Sequence, residues 1–231
     1  MMQSTTAEQP ADAGSIGNRP LQVCRIRLAG REWSLLHTEA VLSQTEEQVY
    51  LSEGRATLPY GVVLWPAAIA LAHEIVSRAA SFRGTSVLEL GAGTGLPGIV
   101  AASFGARVVQ TDRQELAMAM CRRNGERNGA TSIDYRLADW FAWDDPVKYD
   151  WILGADVLYA EASHERLTQI FGSNLAPGGR VLVADPFRKY SLRLLESLEA
   201  SGWTITMSKW TVGGDEEPRN IGVFELAPPP P

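Results

Sequence analysis

From Ser86 onward the chain alternates between two kinds of segment, and this alternation restricts the fold more than any other feature. SVLELG, RVVQTD, IDYRLAD, YDWILGA and RVLVADP are short, apolar and rich in β-branched residues. Between them lie LPGIVAASFG, QELAMAMCRRNGERNG and HERLTQIFGSNL, whose apolar residues recur at helical spacing, and SLRLLESLEASG follows the last. Strands joined by helices cannot pair as hairpins, so they form a parallel sheet with helices on both faces. The last two strands, WTITMSKW and NIGVFELAP, have only the GGDEEP loop between them and predict an antiparallel hairpin at the sheet edge. PGG at 177–179 reads as a turn before the fifth strand. The expectation is an α/β, doubly wound, mostly parallel seven-stranded sheet with a C-terminal antiparallel hairpin.

Ahead of this region, WPAAIALAHEIVSRAA predicts a helix from Trp65, with Pro66 suited to its first turn. LQVCRIRLAGREWSLL predicts two strands around AGRE. The expected organisation is a disordered tail over 1–20, a small N-terminal β-hairpin extension over 21–58, a main domain over 59–227 and a proline tail over 228–231. The first twenty residues carry neither the basic nor the apolar region of a secretory signal. No apolar run approaches the roughly 18 residues of a membrane span. The chain has 231 residues, 45% of them hydrophobic, enough for one core. A net charge of -6 argues against nucleic acid as a partner, because phosphate binding needs basic groups. Cys24 and Cys121 have no metal-ligand spacing, and the three histidines are scattered. No metal, no membrane and a reducing cytoplasmic setting are expected. Arg122, Arg123 and Arg127 read as a solvated helix face, and Trp33 and Trp203 as packing residues.

LELGAGTGLPG, residues 88–98, is where chemistry enters. Glycine permits a positive φ and lets a ligand lie against the backbone. In open α/β sheets ligands bind at the carboxyl ends of the strands. Asp112 ends the next strand 21 residues beyond Gly91, where an acid accepts hydrogen bonds from ribose hydroxyls. A nucleoside-bearing cofactor follows from this pair. Gly93, Gly95 and Gly98 make a formal GxGxxG, the dinucleotide fingerprint, but in that motif the first glycine follows the strand directly. Here Gly91 and Ala92 intervene and Glu89 sits at the strand end. The other register is ExGxGxG, from Glu89, Gly91, Gly93 and Gly95, the pattern of S-adenosylmethionine (SAM) enzymes. An acid beside the turn suits a cationic ligand and repels a pyrophosphate. Asp139 and Trp140 follow the third strand, and the indole offers a flat apolar face to a base.

LPYGVVLWPAAIALA, LELGAGTGLPGI and GADVLY together resemble the seven-β-strand (class I) SAM-dependent protein lysine methyltransferases that carry a DxxY motif. The PYG-x-x-x-W-P-A-A stretch and the ADP after strand five resemble the bacterial branch of this group, whose members are similar to the lysine methylase of the electron-transfer flavoprotein β subunit. The resemblance covers most of residues 59–190. It implies a Rossmann-like methyltransferase fold, with Trp65 over the methionine part of SAM and Gly91, Ala92 and Gly93 lining it. It also implies that Asp112 holds the ribose, Trp140 flanks the adenine with Asp139 near its amino group, and Ala155 touches the cofactor. Asp156 and Tyr159, of the DxxY motif, face the incoming amine. Asp185-Pro186-Phe187-Arg188 departs from the family's spacing after strand five.

The expected activity is in-line methyl transfer to a lysine of a protein substrate by a monomer, leaving S-adenosylhomocysteine. A lysine ammonium has no lone pair, and presenting it neutral at pH 7 costs roughly 4–5 kcal/mol. Asp156 is expected to orient the amine and Tyr159 to supply a hydroxyl and an aromatic wall. An unpaired Asp156 would favour the ammonium form. The rival readings are a small-molecule N- or O-methyltransferase on the same fold and a non-catalytic SAM-fold binding module.

Overall fold

The computed structural model describes residues 6–8, 13–41, 45, 47, 60–213 and 218–230. Seven strands build the central sheet: β3 (Ser86–Leu90), β4 (Arg107–Asp112), β5 (Ile133–Leu137), β6 (Tyr149–Ala155), β7 (Leu175–Asp185), β8 (Thr204–Val212) and β9 (Arg219–Ala227). β1 (Gln22–Leu28) and β2 (Arg31–His37) form the N-terminal hairpin. The sheet order is β5-β4-β3-β6-β7-β9-β8. The first five strands are mutually parallel, and β9 runs antiparallel to both β7 and β8. Strand order reverses between β3 and β6, which opens a crevice at their carboxyl ends.

Because both faces of the sheet are covered, the strands alternate between two apolar layers. Val87, Val108, Leu153 and Leu182 point into one core, with α1 (Pro66–Ser77), α2 (Leu96–Ser103) and the N-terminal hairpin. Leu88, Leu90, Ile152, Val181 and Val183 point into the other, with α4 (His164–Asn174) and α5 (Lys189–Ala200). Each such side chain, fully buried, contributes about 1.5–3 kcal/mol. α3 (Glu115–Arg127) packs on β4 and β5 and against β2 of the hairpin. Trp33 and Trp203 are buried, as anticipated. No helix among the described residues is long and apolar enough to cross a membrane.

Three expectations need correction. The PGG segment lies inside β7: Gly178 takes φ +79°, and the register jumps between Tyr149↔Leu175 and Trp151↔Arg180. The glycines bend the strand without ending it, because a Cβ on Gly179 would stand 3.0 Å from Tyr149 O. Residues 13–20 are no loose tail. Ser15–Ile16 pairs with Arg19–Pro20, and Ala13 and Ile16 are buried, since enough apolar surface is present to repay the ordering. Thr6–Glu8 pairs with β1; residues 1–5 and 9–12 of the expected tail, 42–44, 46 and 48–58 of the expected extension, and 59 and 214–217 of the main domain lie outside the described residues. The arginine face of α3 is solvated only in part: Arg122 and Arg127 are exposed, as expected, and Arg123 is partly covered. Arg123 Nη1 donates to Ser15 O at 2.8 Å, Arg127 Nε donates to Ser34 Oγ at 2.7 Å, and Arg122 lies over the Tyr135 ring.

Candidate active site

At the carboxyl end of β3 the backbone passes through three left-handed glycines, Gly91 (φ +61°), Gly93 (φ +57°) and Gly95 (φ +81°). Only glycine meets both the torsion and the space. A Cβ on Gly91 would stand 3.0 Å from Val157 Cγ1 and 3.3 Å from Trp140 Cζ2, and one on Gly93 would stand 3.3 Å from Gly61 O. The loop is pinned from below: Ala92 N donates to Thr111 O at 2.9 Å, and Gly93 N donates to Asp112 Oδ2 at 3.2 Å.

Glu89 stands behind this turn, 1% exposed, and does not line the crevice. Its Oε2 accepts from Gly98 N at 3.1 Å, in the first turn of α2, and from Gln110 Nε2 at 2.7 Å. In dinucleotide folds the helix N-terminus at this place receives the pyrophosphate. Here an internal carboxyl accepts from one of its amides. Glu89 therefore shapes the turn from within. Gly98 belongs to this device: a Cβ there would lie 2.4 Å from Glu89 Oε2, so the acid reaches the helix only because residue 98 has no side chain.

Burial pushes the Glu89 carboxyl up to about 8, against the hydrogen bonds from Gln110 and Gly98, while the nearby Asp112 adds to the rise. The folded protein thus keeps a proton that an ordinary glutamic acid, near 4.5, releases. This stabilisation should be complete below pH 4.5 and be lost as the pH rises towards 8, a drop on the order of a few kcal/mol. Burial also raises Asp112 and Asp185, with the same sign. Glu89→Gln removes only the first contribution, so denaturant unfolding at pH 5 and pH 8.5 should show a shallower fall for the variant. Equal falls in the two proteins would contradict this assignment.

A cavity of about 460 Å³ runs along the carboxyl edge of the sheet. Its wall includes Trp65, Gly91, Gly93, Asp112, Asp139, Trp140, Ala155, Asp156 and Tyr159. Nine of the eleven residues expected from the sequence are therefore brought together, and Glu89 and Ala92 stand behind the wall. Trp65 occupies the N-cap position of α1. Asp112 is fixed by two amides, since Gln114 N donates to Oδ1 at 3.0 Å in addition to the Gly93 bond. Asp139 Oδ1 accepts from Phe141 N at 3.0 Å and caps the short turn Trp140–Ala142 that carries the indole.

The other end of the crevice follows β6 and β7. Asp156 has φ +54°, and its N donates to Ala184 O at 2.8 Å, so the motif begins on a clamped, strained residue. Its carboxylate is not unpaired. Arg188 Nε donates to Oδ1 at 3.0 Å and Nη2 donates to Oδ2 at 2.9 Å. The guanidinium also pairs with Glu47 at 2.7 Å, and Glu47 pairs with Arg219 at 2.6 Å. These arginines hold the Glu47 carboxyl below its usual range, and the two acids hold Arg188 firmly protonated. Asp185, fully buried, accepts from Arg188 N at 2.7 Å and from Ser191 Oγ at 2.6 Å. The departure at Asp185-Pro186-Phe187-Arg188 thus has a structural outcome. Asp185 caps the turn, Phe187 takes φ +63°, and Arg188 is thrown back onto Asp156. Tyr159 also lines the cavity and is 49% exposed. Glu47 and Gln114 are wall residues that motif reading passes over, and Gly61 and Arg188 lie in motif stretches that assign them no role in the wall.

A family profile described as lysine methyltransferase matches residues 44–197, two thirds of the chain. The chain belongs to the lysine methyltransferase family. It is 40% identical over 119 residues to protein N-lysine methyltransferase METTL21A of Xenopus tropicalis, a match covering 49% of this chain and 55% of that one. To METTL21A of Mus musculus it is 34% identical over 152 residues, covering 63% and 69%. The stretch matched therefore spans about half of the frog protein and somewhat more of the mouse one. Among solved structures, the complex of DhpI with S-adenosylhomocysteine superposes with a TM-score of 0.54 at 23% identity, covering 81% of this chain and 95% of that one. Family profile and superposition agree on one architecture: a member of the lysine methyltransferase family with the class I, doubly wound α/β fold.

Proposed function

We propose that the methyltransferase acts as a monomer on lysine side chains of a protein acceptor, in the cytoplasm, with neither nucleic acid nor membrane as partner. The observation that carries this reading is the single crevice. It joins the glycine turn and Asp112 to Asp156 and Tyr159, in the order that β4, β3 and β6 take across the sheet.

The residues present fit SAM. Bound SAM supplies an electrophilic methyl group on a sulfonium centre. Asp112 holds the ribose hydroxyls, its own oxygens set by the Gly93 and Gln114 amides. Gly91 and Gly93 leave room for the methionine part, with Trp65 over it. Trp140 packs along the adenine, Asp139 lies near its amino group and Ala155 closes the floor. Glu89 and Ala92 hold the turn from behind. Asp156 accepts hydrogen bonds from the acceptor amine and aims its lone pair. Tyr159 supplies a hydroxyl and a ring face at the mouth. Two buried, free cysteines and the acidic charge agree with an intracellular chain that attracts lysine-bearing surfaces.

Labelling a cell extract with radioactive SAM tests the acceptor class. Label in a protein band, released as methyl-lysine on hydrolysis, is expected; label confined to small metabolites would refute it. Asp112→Asn places an amide nitrogen against one of two backbone donors. It should weaken S-adenosylhomocysteine binding about ten- to a hundredfold, on the basis of one lost or opposed charged hydrogen bond. Calorimetry reads this directly, and unchanged affinity would remove Asp112 from the cradle.

A further inference from the structure

The pair Asp156–Arg188 sets a problem that the DxxY residues alone do not solve. A carboxylate within about 4–6 Å of an amine raises the amine's pKa by roughly one to three units, and only the neutral amine can attack. A bare Asp156 would therefore bind the acceptor well and leave it unreactive. We propose that Arg188 is a positioning residue that neutralises Asp156, so that the carboxylate aims the acceptor amine without holding it in its ammonium form. The inference rests on the lysine reading above.

The geometry is that of a two-pronged pair, one nitrogen to each oxygen at 3.0 and 2.9 Å. Each carboxylate oxygen keeps a second lone pair for an incoming N–H. The pair is held in place on both sides. Arg188 N donates to Asp185, Asp156 N donates to Ala184 O, and the guanidinium is also paired with Glu47. The charged groups that face Asp156 are Arg188 and Asp185 from the end of β7, and Glu47 from the N-terminal segment, itself paired with Arg219 of β9. Tyr159 completes the titratable set at the mouth. Asp156 and Glu47 are matched in charge by Arg188 and Arg219, with the buried Asp185 beside them, so the charge of Asp156 is offset where its oxygens accept hydrogen bonds. In the reaction the ammonium first loses a proton to solvent at the open mouth. The nitrogen lone pair then forms the N–C bond as the C–S bond breaks, and a second proton leaves the product amine.

The test is the pH dependence of single-turnover labelling, with protein and SAM in excess over the acceptor band found in the extract, because the bound complex then sets the midpoint. Arg188→Gln should move the midpoint to higher pH by about one unit, with about tenfold slower transfer at pH 7 and convergence only at pH values above both midpoints. Glu47→Gln leaves the guanidinium less compensated and should move it the other way. Arg188→Lys, which keeps the charge, should stay close to the unaltered protein. A merely structural role for Arg188 would slow transfer without moving the midpoint, and coincident midpoints, or shifts of the same sign in the first two variants, would overturn the proposal. Should Arg188→Gln fail to bind S-adenosylhomocysteine, the opposite shift in Glu47→Gln and its absence in Arg188→Lys still decide it. No protein labelling by the unaltered chain at any pH would instead remove the lysine reading, and this inference with it.

Discussion

Asp156→Asn is expected to slow methyl transfer by on the order of a hundred- to a thousandfold, because positioning of the amine and its proton is most of what the protein contributes. Asparagine is the informative choice. It tolerates the left-handed φ of +54° at this position, so backbone strain is not the readout. One oxygen remains to accept from Arg188, but the other becomes a nitrogen that faces both the guanidinium and the acceptor with hydrogens. Asp156 lies on the β6 side of the crevice, away from Asp112, so binding of S-adenosylhomocysteine should hold within about twofold by the independence of distant sites. Calorimetry beside a turnover assay separates the two effects. Turnover within about threefold of the unaltered protein would take Asp156 out of the reaction, and loss of both turnover and binding would make it a structural residue.

Gly98→Ala should be strongly destabilising for a single added methyl group. The new Cβ would fall 2.4 Å from Glu89 Oε2 and 2.6 Å from Gln110 Nε2. Both are side-chain ends, yet neither can swing away. Each is fully buried and hydrogen-bonded to the other, and Gln110 Nε2 also donates to Gly95 O at 2.8 Å. Forcing them apart leaves a buried carboxyl and amide short of partners, a cost of about 2–4 kcal/mol. Thermal unfolding should fall by about 5–10 °C in a chain of this size. A melting point unchanged within a degree or so would mean that the acid does not brace the turn.

These two positions also mark how far the sequence could be read. The sheet was legible because its signal is local and repeated: each apolar run is bounded by a helix of different period, and the last two runs lack a helix between them. The glycine turn and the acid after β4 were legible because torsion and ribose binding restrict residue type at fixed spacing. The function of Glu89 was not, since an acid at a strand end reads the same whether it faces a ligand or turns back to cap a helix. Only the 3.1 Å bond to Gly98 N distinguishes the two. Arg188 was visible as a departure from a motif, but its partner lies 32 residues earlier, just past the end of the neighbouring strand. Glu47 sits in a mixed polar stretch with no periodic signal at all. Arg122 and Arg127 are exposed as their helical spacing suggested, but that spacing is silent on the N-terminal segment that partly covers Arg123.

One amide joins regions that the chain keeps far apart. Asn124 of α3 accepts from Leu36 N at 2.7 Å, and its nitrogen donates to Leu36 O at 3.0 Å and to Thr94 O at 2.8 Å. It thereby ties the rim of the glycine turn to the second strand of the N-terminal hairpin. The hairpin is thus a buttress of the donor's seat and no mere appendage. Whatever grips its outer side takes hold, through a single buried side chain, of the bend that receives the methyl donor.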